Sequence, residues 1–230
     1  MPGRTASRRI VAEAIGTALL VAAVVGSGIM AEQLAGGQVA LALLANTIAT
    51  GAALVALILT FGPISGAHFN PVVTGHQVAT GALPVSQGLA YGIAQIGGGV
   101  GGALLANAMF GLDLVSWSQH ARRGGPQLLS EAVATFGLVG VIASTSRFHP
   151  RVVPFAVAGY IVAAYWFTAS TSFANPAVTI ARAFSDTFAG IRPIDVPGFI
   201  GAQVVGGVAA AVLFGWLLDP AAVASDAENE

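Results

Sequence analysis

The chain has 230 residues, of which 55% are hydrophobic and only 8% are charged, and its mean hydropathy is +0.79. Because soluble domains carry about 25% charged residues, this composition excludes an ordinary soluble protein and indicates an integral membrane protein. The net charge of −1 gives no reason to expect a nucleic-acid partner, and the absence of cysteine excludes disulfides and thiol chemistry.

Six apolar segments are long enough to cross a membrane, which takes about 20 helical residues. In chain order they are 9–31, 40–61, 84–109, 127–146, 152–172 and 197–218. Two further apolar segments, about 70–79 and about 175–185, are too short to cross and follow the second and fifth spans. The first span is too long for the apolar core of a typical signal peptide, so we expect it to be retained. The polar tails, 1–8 and 219–230, are expected to be flexible.

We expect residues 1–230 to form a single membrane domain, and its two halves, about 9–110 and about 127–218, resemble each other. The stretch AEAIGTALLV in the first span matches SEAVATFGLV in the fourth, which aligns Glu13 with Glu131. Further along, QIGG in the third span matches QVVG in the sixth. Each half has three spans, an odd number, so the halves insert with opposite orientation. Inverted repeats of this kind place the functional site at the bilayer midplane, where the halves meet.

Both short segments open with Asn-Pro-x-Val-Thr, at Asn70 and at Asn175. Asparagine is a favoured helix N-cap and proline is favoured at the first helical position, so each motif predicts a helix start inside apolar sequence. Backbone at membrane depth must be buried in protein or line a wet cavity, which two half-helices meeting at the centre achieve. Their positive dipole ends and asparagine amides would repel cations and offer hydrogen bonds to neutral solutes. A single copy would be an ordinary turn.

At these motifs the sequence resembles the aquaporins, or major intrinsic proteins. SGAHFNPVVT (Ser65–Thr74) resembles the first family signature, with Val72 where alanine is usual, and NPAV from Asn175 resembles the second. The resemblance implies an all-α membrane protein with six transmembrane helices and two re-entrant half-helices, assembled in the lipid bilayer as a homotetramer with one pore per subunit. It also implies that the pore centre is formed by six residues: Asn70, Pro71, Val72, Asn175, Pro176 and Ala177.

The family usually has an arginine three residues after the second asparagine, at the narrowest part of the pore, and this chain has Val178 there. The family's spacing places the other filter positions at Thr50, Ala163 and Ser172, which makes a small, neutral and wide filter. Arg182 lies one helical turn beyond Val178 on the same face. It either reaches back to replace the missing charge or lies near the pore mouth, and we favour the mouth.

This filter resembles that of a bacterial branch often associated with arsenic-detoxification genes. The resemblance implies a passive channel for water and small uncharged solutes, such as arsenite and other metalloid hydroxides, methylated arsenicals, glycerol and urea. The alternatives are a strict water channel, a proton-coupled secondary transporter and a membrane protein without flux. We see no arrangement of residues typical of an enzyme, and we expect neither a cofactor nor a metal.

Two carboxylates, Glu13 and Glu131, lie within predicted membrane spans. A charge there costs free energy, so both residues are expected to have a role. The resemblance implies that they are struts that accept hydrogen bonds from the re-entrant loops. They could instead carry protons in a transporter, and Glu13 could form an ion pair with Arg9. His68 is expected to form hydrogen bonds within its loop, whereas His76 could face the pore mouth and tune access with pH.

Arginines on either side of the spans indicate the orientation weakly. Those before the first span and those between the fourth and fifth favour a cytoplasmic amino terminus, and six spans then place the carboxyl terminus in the cytoplasm as well. We expect the protein in the plasma membrane. Arg122 and Arg123 would then lie outside, which weakens the signal.

Overall fold

The computed structural model describes residues 5–219, which form eight α-helices. In chain order they are α1 (Ala6–Leu34), α2 (Val39–Ser65), α3 (Pro71–Ala79), α4 (Val85–Met109), α5 (Gly125–Phe148), α6 (Val153–Phe167), α7 (Pro176–Arg182) and α8 (Val196–Leu217). No β-strand occurs among the described residues. The tails expected to be flexible, 1–8 and 219–230, lie largely outside the described residues, and residues 6–8 belong to α1.

Six of these helices are long and apolar enough to cross a membrane within residues 5–219, as predicted. They are α1, α2, α4, α5, α8 and α6, the last together with a 3₁₀ turn at Pro150–Val152. The predicted fold class is therefore confirmed. The fifth span ends earlier than expected, because α6 stops at Phe167 and the chain then enters a loop with left-handed backbone at Thr171, Ser172 and Ala174.

The two short helices, α3 and α7, begin directly after Asn70 and Asn175. With nine and seven residues they cannot cross a membrane. We call the face at which α1 begins the near face and the opposite one the far face. The alternating direction of the spans brings the first loop in from the near face, to which α3 returns, and the second loop in from the far face, to which α7 returns.

The two halves pack in the same way. In the first half α1 packs against α2 and α4, and in the second half α5 packs against α6 and α8. The helices approach closely at Gly98 and Gly206, where an added Cβ would lie 2.2 Å from the Ala14 carbonyl oxygen and 2.1 Å from that of Ala132. Small residues at such crossings let helix backbones pack tightly in a membrane. This frame holds α3 and α7 between the halves.

A pore between two re-entrant loops

Each asparagine of the two motifs caps its own half-helix. The side-chain oxygen of Asn70 accepts the backbone N–H of Val72 at 2.9 Å. The side-chain oxygen of Asn175 accepts the N–H groups of Ala177 and Val178 at 3.0 and 3.2 Å. The prolines follow at the first helical position, where a missing N–H has no cost. The local sequence thus sets both helix starts.

The amide nitrogen of each asparagine bonds to the opposite half. Nδ2 of Asn70 donates to the Ala174 carbonyl at 2.7 Å, and Nδ2 of Asn175 donates to the Phe69 carbonyl at 2.8 Å. Because an amide carries two N–H donors, each asparagine keeps one for another partner. The two loops are therefore joined at the centre of the molecule by a reciprocal pair of hydrogen bonds.

The loop before α3 is held by Glu13, which is fully buried. Its carboxylate accepts the backbone N–H groups of His68 and Phe69 at 3.0 and 2.7 Å and the hydroxyl of Ser65 at 2.6 Å. Phe69 and Ala67 have φ angles of +50° and +51°, which non-glycine residues rarely adopt. The carboxylate therefore compensates for a strained loop. Arg9, by contrast, bonds to Gln87 at 3.2 Å.

The loop before α7 is held in the same way by Glu131, which is also fully buried. Its carboxylate accepts the N–H groups of Phe173 and Ala174, both at 2.9 Å. Ser172 and Ala174 have φ angles of +49° and +47°, at the positions that match Ala67 and Phe69 in the first loop. Both glutamates thus lie where the strut prediction placed them.

Two glutamines complete these supports, although the sequence only marked them as repeat matches. Gln95 donates to Glu13 at 2.8 Å and to the Thr74 hydroxyl at 2.9 Å. In the second half Gln203 makes the equivalent bonds to Glu131 at 2.6 Å and to a threonine of α7 at 2.8 Å. Each glutamine ties a carboxylate to the half-helix of its own repeat.

A cavity of about 330 Å³ runs past both asparagines. Near-face residues such as Gln77 and Ser146 line one end, and Thr50 and Arg182 line the other. Half of the other lining residues are Leu, Ile and Val side chains from α1, α2, α5 and α6. The lining contains no Asp or Glu. The cavity is therefore a largely apolar passage with polar groups at its centre and ends.

Of the predicted filter residues, Thr50, Ser172 and Val178 line the cavity, but Ala163 does not. Ala163 is exposed on the outer surface of α6, while Ile161 and Tyr165, one helical turn apart, face inward. Because two residues rotate a helix by about 200°, Ala163 lies on the opposite face. The prediction of Ala163, made by counting residues along the chain, therefore chose the wrong face of α6. Tyr165 completes the site instead, with its hydroxyl 3.3 Å from that of Thr50.

Four predicted centre residues shape the helices without lining the cavity: Pro71, Val72, Pro176 and Ala177. Val72 packs on Gly207 of α8, and Ala177 lies beside Gly99 of α4. The third residue of each motif thus contacts a glycine of the opposite half. His76 does not line the cavity either; it is half-buried with an unpaired Nδ1, and the next residue, Gln77, lines the wall.

His68 also lines the cavity, and its Nδ1 lies 3.1 Å from the Thr74 hydroxyl within the same loop and half-helix, as expected. Arg182 is 2% exposed and belongs to the cavity wall itself rather than to a solvated mouth. This arginine therefore lies in the wall at the far end of the passage, and its predicted place near the pore mouth stays a prediction.

Arg122, from the loop between α4 and α5, was missed by the sequence analysis. It is 7% exposed and donates to the carbonyls of Gly190 at 2.8 Å and Ser170 at 3.1 Å. Its guanidinium carbon lies 4.9 Å from the centre of the Phe173 ring. Burial lowers the pKa of Arg122 to about 10, which still leaves it charged at neutral pH. This side chain ties the far-face loops together.

Two inverted halves whose half-helices meet at a central cavity define a channel-type membrane protein. Comparison with known proteins assigns the family: the Major intrinsic protein family profile matches residues 3–164. Aquaglyceroporin AqpS of Rhizobium meliloti is 57% identical over 215 residues, which cover 94% of this chain and 92% of that protein. The chain therefore belongs to the major intrinsic protein, or aquaporin, family, whose members are channels for water and small solutes and not enzymes.

More distant relatives agree with this assignment. Probable aquaporin AqpM of Archaeoglobus fulgidus is 30% identical over 246 residues, which cover 93% of this chain and 98% of that protein. The X-ray structure of the aquaglyceroporin from Plasmodium falciparum superposes with a TM-score of 0.72 at 18% identity, covering 94% of this chain and 98% of that one. At that identity the likeness shows the shared fold.

Proposed function

We propose that this channel conducts small uncharged solutes larger than water, in addition to water itself. The solutes of this class are metalloid hydroxides such as arsenite, methylated arsenicals, glycerol and urea. The observation that carries the proposal is that Val178, a small neutral side chain, lines the cavity where the family usually has an arginine. The relative named as an aquaglyceroporin, at 57% identity, supports the same class.

The centre of the cavity suits neutral polar solutes. Asn70 and Asn175 each use one amide N–H across the halves, so each has one left to donate to a passing oxygen. The starts of α3 and α7 add positive dipole ends that oppose cations. For the same reason we expect only weak proton leakage through the wider passage.

The wall around Val178 supports a wide passage that is neutral at this level, one helical turn from Arg182. Thr50, Ser172 and Val178 lie there together with Tyr165, and none of these four carries a charge. An apolar wall without carboxylates makes the transfer of an ion from water costly, whereas a neutral hydroxylated solute loses less hydration. These features favour solutes that are uncharged and polar.

The two alternatives predict different behaviour. A strict water channel requires Arg182 to narrow the passage despite the small residue at Val178. A proton-coupled transporter would use Glu13 or Glu131, but both carboxylates already accept two backbone N–H groups of a strained loop. Protonation would weaken these bonds, so the geometry favours struts over proton carriers.

The membrane orientation and assembly are part of the proposal. Arg8, Arg9, Arg147 and Arg151 lie at near-face ends of spans, so the positive-inside rule places the near face, with both termini, in the cytoplasm. We place the protein in the plasma membrane as a homotetramer with one pore per subunit. Its outer surfaces are apolar, with Ile93 75% and Val212 70% exposed.

Stopped-flow light scattering on reconstituted liposomes tests the function. An impermeant osmolyte reports water flux, and inward gradients of glycerol, urea and arsenite report solute flux by re-swelling. We expect re-swelling with all three solutes, at rates unaffected by a proton ionophore. Water flux without solute flux would contradict the proposal in favour of a strict water channel, and loss of uptake with the ionophore would favour a transporter.

Val178→Arg is the variant that tests the filter. The added side chain should narrow and charge the wall, and lower glycerol flux about tenfold or more, which corresponds to about 1.4 kcal/mol in the barrier. Val178→Leu, which adds size without charge, separates the two effects. Unchanged solute flux in Val178→Arg would show that this position does not set selectivity.

A further inference from the structure

Arg182 occupies an unusual place for a charged side chain. It is 2% exposed, lines the cavity, and has its guanidinium carbon 3.4 Å from the centre of the Phe173 ring. Its Nε donates to the carbonyl of Ala189. These two contacts fix the plane of the guanidinium group, and neither of them uses its terminal nitrogens.

The terminal nitrogens of Arg182 have no hydrogen-bond acceptor among residues 5–219, and no carboxylate lines the cavity wall to which this arginine belongs. The hydroxyl of Ser172 is likewise buried without a partner, although the residue is 3% exposed and lines the same cavity. Buried polar groups and charges are normally paired. The far end of the passage therefore carries several donors that nothing in the described chain satisfies.

The first half of the chain has no counterpart to this charge. Gln77 follows Asn70 at the same spacing as Arg182 follows Asn175, and it lines the opposite end of the cavity. Ala67 stands at the position that matches Ser172. The repeat thus places a neutral amide at the near end and an unpaired cation with a free hydroxyl at the far end.

We propose that Arg182 and Ser172 form a solute-binding site, which selects solutes with hydrogen-bond-accepting oxygens and excludes cations. The inference deepens the proposed function and rests on it. Arginine offers a fixed fork of donors and stays charged, so it favours oxygen-rich solutes and repels positive ones. A charge in a low-dielectric cavity acts more strongly than the same charge in water.

The position of this solute-binding site explains how a charged Arg182 is compatible with a wide passage at Val178. Arg182 lies four residues beyond Val178 on α7, one turn nearer to the far face. The charge therefore stands before the valine-lined section and does not fill it. A solute is bound and selected at Arg182 and then passes a wall that is neutral.

The test compares permeabilities in liposomes, with glycerol as the oxygen-rich probe, methylammonium as the cation and water as the reference. In Arg182→Gln, which reproduces the near-end residue, we expect methylammonium permeability to rise about tenfold or more because the repelling charge is gone. Arg123→Gln, which removes an exposed arginine that does not line the cavity, is the matched control and should leave cation exclusion unchanged.

Two further variants separate charge from hydrogen bonding. Arg182→Lys keeps the charge, so it should still exclude methylammonium, but it loses the fork and should lower glycerol permeability about threefold. Ser172→Ala should lower glycerol permeability by a smaller factor without admitting the cation. The proposed solute-binding site is overturned if Arg182→Gln still excludes methylammonium. It is also overturned if Arg182→Lys and Ser172→Ala both have the glycerol permeability of the native chain. Absence of glycerol flux in the native protein would instead overturn the proposed function, and the cation measurement would still decide the role of the charge.

Discussion

The two re-entrant loops share one supporting frame but present different walls to the passage. In each half a buried glutamate accepts two backbone N–H groups, and a glutamine links that glutamate to the half-helix. The lining positions differ: His68 corresponds to Phe173, and Gln77 corresponds to Arg182. The fold therefore requires the frame twice, whereas the walls are free to diverge and to make the passage chemically asymmetric.

Replacing the glutamates of the supporting frame should cause the largest loss of stability. The loss should be greater for Glu13 in the first half than for Glu131 in the second. Glu13→Ala leaves four donors unpaired, from Ser65, His68, Phe69 and Gln95. With about 1–3 kcal/mol for each buried unpaired group, we expect destabilisation on the order of 5 kcal/mol. Glu131→Ala leaves three and should cost less. Thermal unfolding in detergent measures both, with exposed Asp113→Ala as the control. A larger loss in Glu131→Ala would contradict the comparison.

The second expected effect concerns the groups that hold the start of each loop. Tyr91 donates to the Ser65 carbonyl at 2.9 Å, and Arg122 donates to the equivalent Ser170 carbonyl at 3.1 Å. Since Arg122 also holds Gly190, we expect about 3 kcal/mol for Arg122→Met and about 1 kcal/mol for Tyr91→Phe. Thermal unfolding together with limited proteolysis of the α4–α5 loop checks this; equal losses would mean that the far-face loops do not depend on Arg122.

A smaller loss of stability should follow from forcing apart α1 and α4, or α5 and α8. Gly98→Ala forces the new methyl against the Ala14 carbonyl, and Gly206→Ala does the same at Ala132. Overpacking of this kind costs about 1–3 kcal/mol, so both variants should unfold at lower temperature. Gly97→Ala, which meets no atom within 4 Å, is the matched control. Equal stability of Gly98→Ala and Gly97→Ala would refute the close approach.

The smallest effect on stability is expected when His68 of the first loop is replaced by phenylalanine, the residue at the matching position of the second loop. His68→Phe removes the contact between Nδ1 and the Thr74 hydroxyl, but that hydroxyl still receives the Gln95 amide. We therefore expect a loss of about 1 kcal/mol in unfolding free energy, with the loop still formed. Thermal unfolding and water flux measured on one preparation check this. Loss of both folding and flux would show that His68 belongs to the frame rather than to the wall.

The sequence predicted what depends on local patterns and on the repeat. Apolar length set the spans, Asn-Pro set the two half-helices, and the matched Glu13 and Glu131 marked the supports. The end of α6 was missed because the residues after Phe167, TASTS, carry no charge and contain no glycine or proline that would mark a helix end. What stops the helix there is the tertiary demand that the chain turn back towards Glu131.

The lining residues were harder to predict because they depend on helix rotation and on distant loops. Ala163 was chosen by counting along the chain, and a small error in register moved the prediction from the inner to the outer face of α6. Arg122 lies in a loop without a motif, and its partners lie 48 and 68 positions away in sequence. No local pattern could have indicated those contacts.

The crossed bonds from each asparagine to the opposite loop also bear on how the chain is made. Asn70 bonds to a carbonyl 104 positions further along the chain, and Asn175 to one 106 positions back. During synthesis, then, the first loop cannot complete its hydrogen bonds until the second half has been translated as far as Ala174, about its midpoint. Contacts of such long sequence separation form slowly. The passage is consequently a late product of folding, assembled after the ribosome has delivered both halves to the membrane.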